Sequence, residues 1–178
     1  GDPRVLIAVL DSGSYWEDRD LVNKWFLSER ERPPPADACQ KPENRGEGKR
    51  KYDANADGVF NVQDYTTATG HEQPAIGKLC DGRVMDKNRN GIVDPQDLIA
   101  AFSDGKDDDK NGYIDDIAGW DFFRNDNDAM DETRYGHGTG EAHDSAGETD
   151  NGVGEAGVCP KCRVMPLRVG DSFVADAN

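Results

Sequence analysis

Apolar residues are sparse along this chain, and where they gather they do so without helical spacing. Val5-Leu-Ile-Ala-Val-Leu10 is an unbroken run of β-favouring residues that ends in Asp11-Ser-Gly13. A run without polar alternation predicts a strand buried on both faces, as in a parallel sheet. Cys162-Arg-Val-Met-Pro-Leu-Arg-Val169 predicts a second such strand. Asp20-Leu-Val-Asn-Lys-Trp-Phe-Leu27 reads as a short helix capped by Asp20, and Pro33-Pro34-Pro35 as a stiff break after it. His137-Gly-Thr-Gly-Glu-Ala142 reads as a glycine-rich entry into a helix. The two ends of the chain thus have the texture of an α/β domain with a parallel sheet and helices on both faces. The polar stretch from about 28 to 103 reads as an insertion between them.

Composition sharpens this picture. Lys and Arg number 21 against 36 Asp and Glu, a formal net charge of −15. Such acidity argues against nucleic acid or an anionic membrane surface as partner. The longest apolar run is Val5 to Leu10, too short to cross a bilayer, so no membrane insertion is expected here. No charged-then-apolar leader opens the sequence. Leu, Ile, Val and Phe make up only about 17% of the residues, a level that with this charge borders on disorder. Between Asp81 and Asp131 there are 14 Asp against 6 Lys or Arg. By default such a run is a solvated face, but its spacing is not random.

Asp53-Ala-Asn55-Ala-Asp57-Gly58-Val59-Phe-Asn61-Val-Gln-Asp64 puts oxygen-bearing side chains at positions 1, 3, 5, 9 and 12 of a twelve-residue loop, with Gly at position 6. Asp86-Lys-Asn88-Arg-Asn90-Gly91-Ile92-Val-Asp94-Pro-Gln-Asp97 repeats the pattern. Ca²⁺ takes six to eight hard oxygen ligands, and this alternation, with backbone carbonyls from Val59 and Ile92, wraps one ion per loop. Asp at position 12, where the EF-hand carries Glu, resembles the dockerin variant. Apolar residues at position 8 of both loops predict a small strand contact between them. A third candidate, Asp107-Asp-Asp109-Lys-Asn111-Gly112-Tyr113-Ile-Asp115-Asp116, fills positions 1, 3, 5, 6 and 9 but has Ala118 at position 12. It is either a weaker site, completed by Asp116 or by groups elsewhere, or a metal-free turn. Bound Ca²⁺ would relieve the repulsion among these carboxylates and couple ion binding to folding.

Four cysteines, Cys39, Cys80, Cys159 and Cys162, allow two disulfides in three pairings, or a four-thiolate zinc site with Cys159-Pro-Lys-Cys162 as one knuckle. The wide separation of Cys39 and Cys80 disfavours zinc. Pairing Cys39 with Cys80 and Cys159 with Cys162 is the natural arrangement and suits a secreted or cell-surface protein.

Asp11 at a strand end is by itself an ordinary turn residue, and a single His before Gly carries little. Together, strand-Asp11-Ser-Gly13 and the later His137-Gly-Thr-x-x-Ala142 resemble the first two signatures of the subtilisin-like serine proteases, the subtilases. Asp109-Lys-Asn-Gly-Tyr-Ile-Asp-Asp116 with Gly119-Trp-Asp-Phe122, Gly154 to Pro160, and Val164 to Val169 extend the likeness. It covers 1–27 and 104–178 and implies the amino-terminal part of a subtilase catalytic domain. The resemblance implies that Asp11 orients and charge-stabilises His137, and that His137 serves as general base and acid toward a serine attacking a peptide bond. The family's chain order is Asp, His, Ser, and the Asp11-to-His137 interval far exceeds the roughly 30 residues of the simplest members. The calcium loops account for the excess. No Gly-Thr-Ser-x-Ala nucleophile motif occurs, and Gly170-Asp-Ser172 has the wrong chain order to replace it. The expected partners are therefore a polypeptide substrate and the carboxyl-terminal part of the same catalytic domain. By resemblance, Gly170, Asp171 and Ser172 line the non-primed substrate subsites, with Asp171 favouring basic side chains. Glu141 is expected to point away from His137, Asp121, Asp126 and Asp128 are either a further ion site or a polar surface loop, and His71 and His143 read as surface residues. The alternative function is a calcium-ordered interaction or structural module on an inactive scaffold.

Overall fold

A computed structural model describes residues 1–44 and 51–171. The two predicted strands form as β1 (Leu6–Asp11) and β3 (Arg163–Arg168), with α1 (Pro95–Phe102), the two-residue β2 (Trp120–Asp121) and α2 (His137–Ala146) between them in chain order. The sheet order is β1-β3-β2, all parallel. Register pairs Asp11 with Arg168, and Asp121 with the same arginine, so the carboxyl ends of all three strands finish level.

Among the described residues, one sheet face is closed and the other is not. Val9 on β1 and Val164 on β3 are buried on the closed side. α2 lies against them through Gly138, Ala142 and Ala146, a stripe of small residues spaced one turn apart that lets the helix approach closely. The opposite face carries Leu6 and Leu10, the latter 60% exposed. Helices on both faces are therefore not found among the described residues: only α2 packs on the sheet, and α1 belongs to the middle segment.

The helix expected from Asp20 to Leu27 is also absent. Those residues form hydrogen-bonded turns, and then Trp25 bridges Val164 in parallel. Phe26 donates its N–H to the Val164 carbonyl at 2.7 Å. Trp25 is fully buried, packs edge-on against Trp16 at 5.6 Å between centroids, and donates Nε1–H to the Trp16 carbonyl. Burying two indoles in one contact outweighs the weak helical propensity of a short segment.

The described residues of 28–103 add no strand to the sheet. Their apolar residues Phe60, Val62, Tyr65, Val84, Val93 and Leu98 join one continuous core with Trp16, Trp25 and Val164. Cys39 and Cys80 lie at disulfide distance with Cα atoms 5.3 Å apart, as do Cys159 and Cys162, the pairing preferred over zinc from the cysteine spacing. No helix among the described residues is long and apolar enough to cross a membrane.

Candidate functional site

Asp11 closes β1 and His137 opens α2, so the strand end and the helix start meet. His137 Nδ1 lies 2.9 Å from both Oδ1 and Oδ2 of Asp11. The Ser12 N–H donates to Asp11 Oδ1 at 2.7 Å, and Asp11 is 9% exposed. The carboxylate is thus held from two sides, with the imidazole edge-on to it. The imidazole is half exposed at 47% and stacks on Tyr135 with an interplanar angle of 12°.

The flanking glycines make this approach possible. Gly13 has φ +94°, and a Cβ there would sit 2.7 Å from the Ala129 carbonyl oxygen and 2.9 Å from the Asp131 nitrogen. A Cβ on Gly138 would collide with the Gly13 carbonyl oxygen and meet Asp11 Cβ at 3.1 Å. Gly138→Ala is therefore expected to push α2 off β1, costing about 1–3 kcal/mol as an overpacked core site does. Thermal denaturation checks this, and an unchanged melting temperature would contradict the contact.

A residue that sequence reading missed holds the approach to the histidine. Asp131 is fully buried and accepts from Gly136 N at 2.6 Å, Tyr135 N at 3.2 Å and Thr133 Oγ1 at 3.0 Å. Its Oδ2 also takes the Ser12 hydroxyl at 3.5 Å, while Ser12 Oγ accepts the Gly138 N–H at 3.2 Å. Asp131 thereby ties the turn after β1 to the turn before α2. As one of many aspartates in an acidic run, it carried no local signal.

Three further expectations need correction. Glu141 does not point away: its Oε1 lies 3.9 Å from His137 Nε2, since residues four apart on α2 share a face. Asp121, Asp126 and Asp128 do not converge on an ion. Asp121 pairs with Arg168 at 2.7 Å, and Asp128 accepts from Trp16 Nε1 and Gln96 Nε2, each at 2.7 Å. His143 is not a surface residue; it is bracketed by Asp18 at 3.1 Å and Asp20 at 3.2 Å with its side chain 17% exposed.

Gly170 and Asp171 follow β3 at the same sheet end as the pair, and Val169 N donates to the Asp11 carbonyl at 2.8 Å. Ser172 lies outside the described residues. Asp171 is engaged by the buried Arg168 guanidinium, and its carbonyl accepts from Thr133 Oγ1 at 3.1 Å. Arg168 is shared with Asp121 and Glu132, so Asp171 is held in place by an ion pair that only partly offsets its charge. Burial works against charge on Arg168, but Asp121 and Asp171 outweigh it and raise its pKa.

The three acidic loops share one backbone. The residue at position 4 (Ala56, Arg89, Lys110) is left-handed with φ 59–62°, and the position-6 glycines (Gly58, Gly91, Gly112) have φ between 84° and 97°. In each, the position-1 carboxylate accepts the N–H groups of positions 5 and 6, for example Asp53 from Asp57 at 3.0 Å and Gly58 at 3.1 Å. The side chain at position 3 converges on the same position-5 N–H, at 3.0 Å from Asn55, 3.2 Å from Asn88 and 3.0 Å from Asp109. At position 5, Asp57, Asn90 and Asn111 complete the turn, each accepting the position-7 N–H through a side-chain oxygen.

Position 9 behaves differently in each loop. Asp94 caps α1 through Oδ1 and keeps Oδ2 on the Asn88 and Asn90 amides, so it stays with its loop. Asn61 instead caps the 3-10 turn Val62–Tyr65 and donates Nδ2–H to the Asn23 carbonyl, which turns it away from the loop. Asp115 also leaves, accepting from Asp104 N and Gly105 N at 2.9 Å each. Nor do the two loops pair at position 8: Phe60 and Val93 both enter the core, and Ile92 bridges Ala75 instead. Burial pushes Asp64 up to about 8, with Asp57 and Asp53 adding to the rise, and pushes Asp97 up to about 6.

Comparison with known sequences agrees with this geometry. The family model of the subtilases matches residues 2–177. The chain belongs to the subtilase family. The match runs through the acidic middle segment as well as the sheet, so this subtilase carries its loops inside the family's span. No curated protein and no solved structure gives a significant match.

Proposed function

We propose that this subtilase is the amino-terminal part of a calcium-dependent, secreted or cell-surface serine endopeptidase, with Asp11 and His137 as two members of its triad. The observation that carries this is the imidazole Nδ1 at 2.9 Å from the Asp11 carboxylate, with Nε2 on the opposite side of the ring. Asp11 fixes the tautomer that protonates Nδ1 and stabilises the imidazolium; His137 Nε2 takes the nucleophile's proton and returns it to the leaving amine. The nucleophile comes from a segment bearing the family's serine motif, which these 178 residues do not contain. The uncovered sheet face with Leu6 and Leu10 suits packing by that carboxyl-terminal part. The backbone of Gly170 and Asp171, at the same sheet end, is placed to meet an extended substrate peptide, with Ser172 next in sequence.

Calcium suits the first two loops on donor chemistry: the side chains at their ligand positions all carry a carboxylate or carboxamide oxygen, the set a hard dication takes. Asp53, Asn55, Asp57 and Asp64 would hold one ion, and Asp86, Asn88, Asn90, Asp94 and Asp97 another, with Val59 and Ile92 carbonyls. The ion supplies charge neutralisation and order, not chemistry at the peptide bond.

The test is to react the purified protein with a fluorophosphonate serine probe in Ca²⁺ and measure intact masses under denaturing conditions. A labelled second polypeptide alongside this chain is the expected result for an assembled enzyme. Absence of label, even when a carboxyl-terminal segment with the serine motif is supplied, would contradict the proposal.

A further inference from the structure

The third loop lacks its own position-12 ligand, and the structure supplies a carboxylate from elsewhere. Glu31, 78 residues before Asp109, reaches it through Oε1, which accepts the Asp109 N–H at 2.9 Å. One carboxylate oxygen from each of Glu31, Asp107 and Asp109 lies within 4.8 Å of the others. Glu31 is 2% exposed, and its Oε2 has no hydrogen-bond partner. A buried carboxylate oxygen left bare beside two more carboxylates is costly unless a cation is there to receive it. Asp116 stands outside this group of three: its Oδ2 accepts from Asn111 Nδ2 at 2.9 Å, and its Oδ1 is likewise buried without a partner.

We infer that Glu31, Asp107 and Asp109 form a divalent-cation site that is closed from outside its loop. All three donors are carboxylate oxygens, which selects a hard ion of the Ca²⁺ class over zinc or copper. The position matters as much as the chemistry. Glu31 stands just after the chain leaves the sheet at Trp25, and the loop stands just before it returns at β2. The Ser28 N–H donates to the Ile117 carbonyl at 2.8 Å beside it. The ion therefore clamps both ends of the middle segment together at its neck, a role that an ion held within a single loop cannot play. This extends the calcium reading of the first two loops without depending on it.

Native mass spectrometry of the full chain, titrated with Ca²⁺, counts the ions directly. Glu31→Gln is expected to hold one ion fewer than the parent, or to weaken one site by at least about tenfold. Because Glu31 is buried, Asp109→Asn, at a partly exposed position, provides the same test with less risk to folding; circular dichroism reports the fold of each. If both variants are folded and bind the parent's number of ions with the parent's affinities, the site does not exist. If Glu31→Gln fails to fold, Asp109→Asn decides alone. Asp53→Asn and Asp86→Asn separate this inference from the earlier reading. An ion lost only in the Glu31 and Asp109 variants upholds the neck site and refutes the first two loops. Ions lost only in the Asp53 and Asp86 variants do the reverse.

Discussion

Replacing His137 with alanine in the assembled enzyme should lower kcat by at least about 10⁴-fold while leaving calcium binding and the fold unchanged. The imidazole is half exposed and stacks on the exposed Tyr135 ring, so its removal opens a surface position. Asp11→Asn should cost on the order of 10⁴ as well, because an amide presents a donor to Nδ1 and favours the wrong tautomer. The double variant should be little slower than His137→Ala alone, since the two act as a unit. Peptide hydrolysis measured at saturating substrate distinguishes this from a binding defect, which would move KM. Hydrolysis surviving in His137→Ala would remove the triad assignment.

Stripping calcium should have the other large effect. Saturating one site at 100 times its Kd contributes about 2.7 kcal/mol. Two sites contribute about twice that, and for a chain of this size the melting temperature should fall by roughly 10–20 °C in excess EDTA. An unchanged melting temperature would refute the calcium reading. The pH dependence in EDTA has a definite sign. Asp64 and Asp97 are raised in the folded protein, to about 8 and about 6. A raised carboxyl contributes stability that is present below its unfolded pKa and lost as pH rises through the folded value. The metal-free protein should therefore lose stability between about pH 4 and 8 through these groups. With saturating Ca²⁺ the slope should reverse, because ionised carboxylates are what the ion binds. Melting curves across that pH range, with and without Ca²⁺, check both slopes.

What was readable in the sequence was whatever a few adjacent residues fix among themselves. The β1 and β3 runs could be read as strands because their residues favour extended backbone, although Leu6 and Leu10 lie on an open face rather than a buried one, and the loop backbones because Asp, Asn and Gly at set intervals meet the needs of a left-handed turn. The His137 helix and its motif were equally local. The Asp20–Leu27 segment failed for the opposite reason: the conformation around Trp25 is decided by Trp16, outside the segment, and by Val164 at the far end of the chain. Asn61 and Asp115 fitted the loop pattern, yet Asn23 and the backbone at Asp104 and Gly105 claimed them.

The chemistry on offer was legible before any fold was known: an Asp and a His in subtilase motifs, three oxygen-rich loops, and four cysteines. Motif residues are specified by covalent spacing, which is written in the chain. It took the folded molecule to bring the imidazole to 2.9 Å from the carboxylate, to make Asp131 the anchor of the approach, to set Arg168 against Asp171, and to carry Glu31 to the third loop. Nearly all of these join residues from separate elements, and such contacts follow from how the sheet, α2 and the middle segment pack, where no spacing rule along the chain applies.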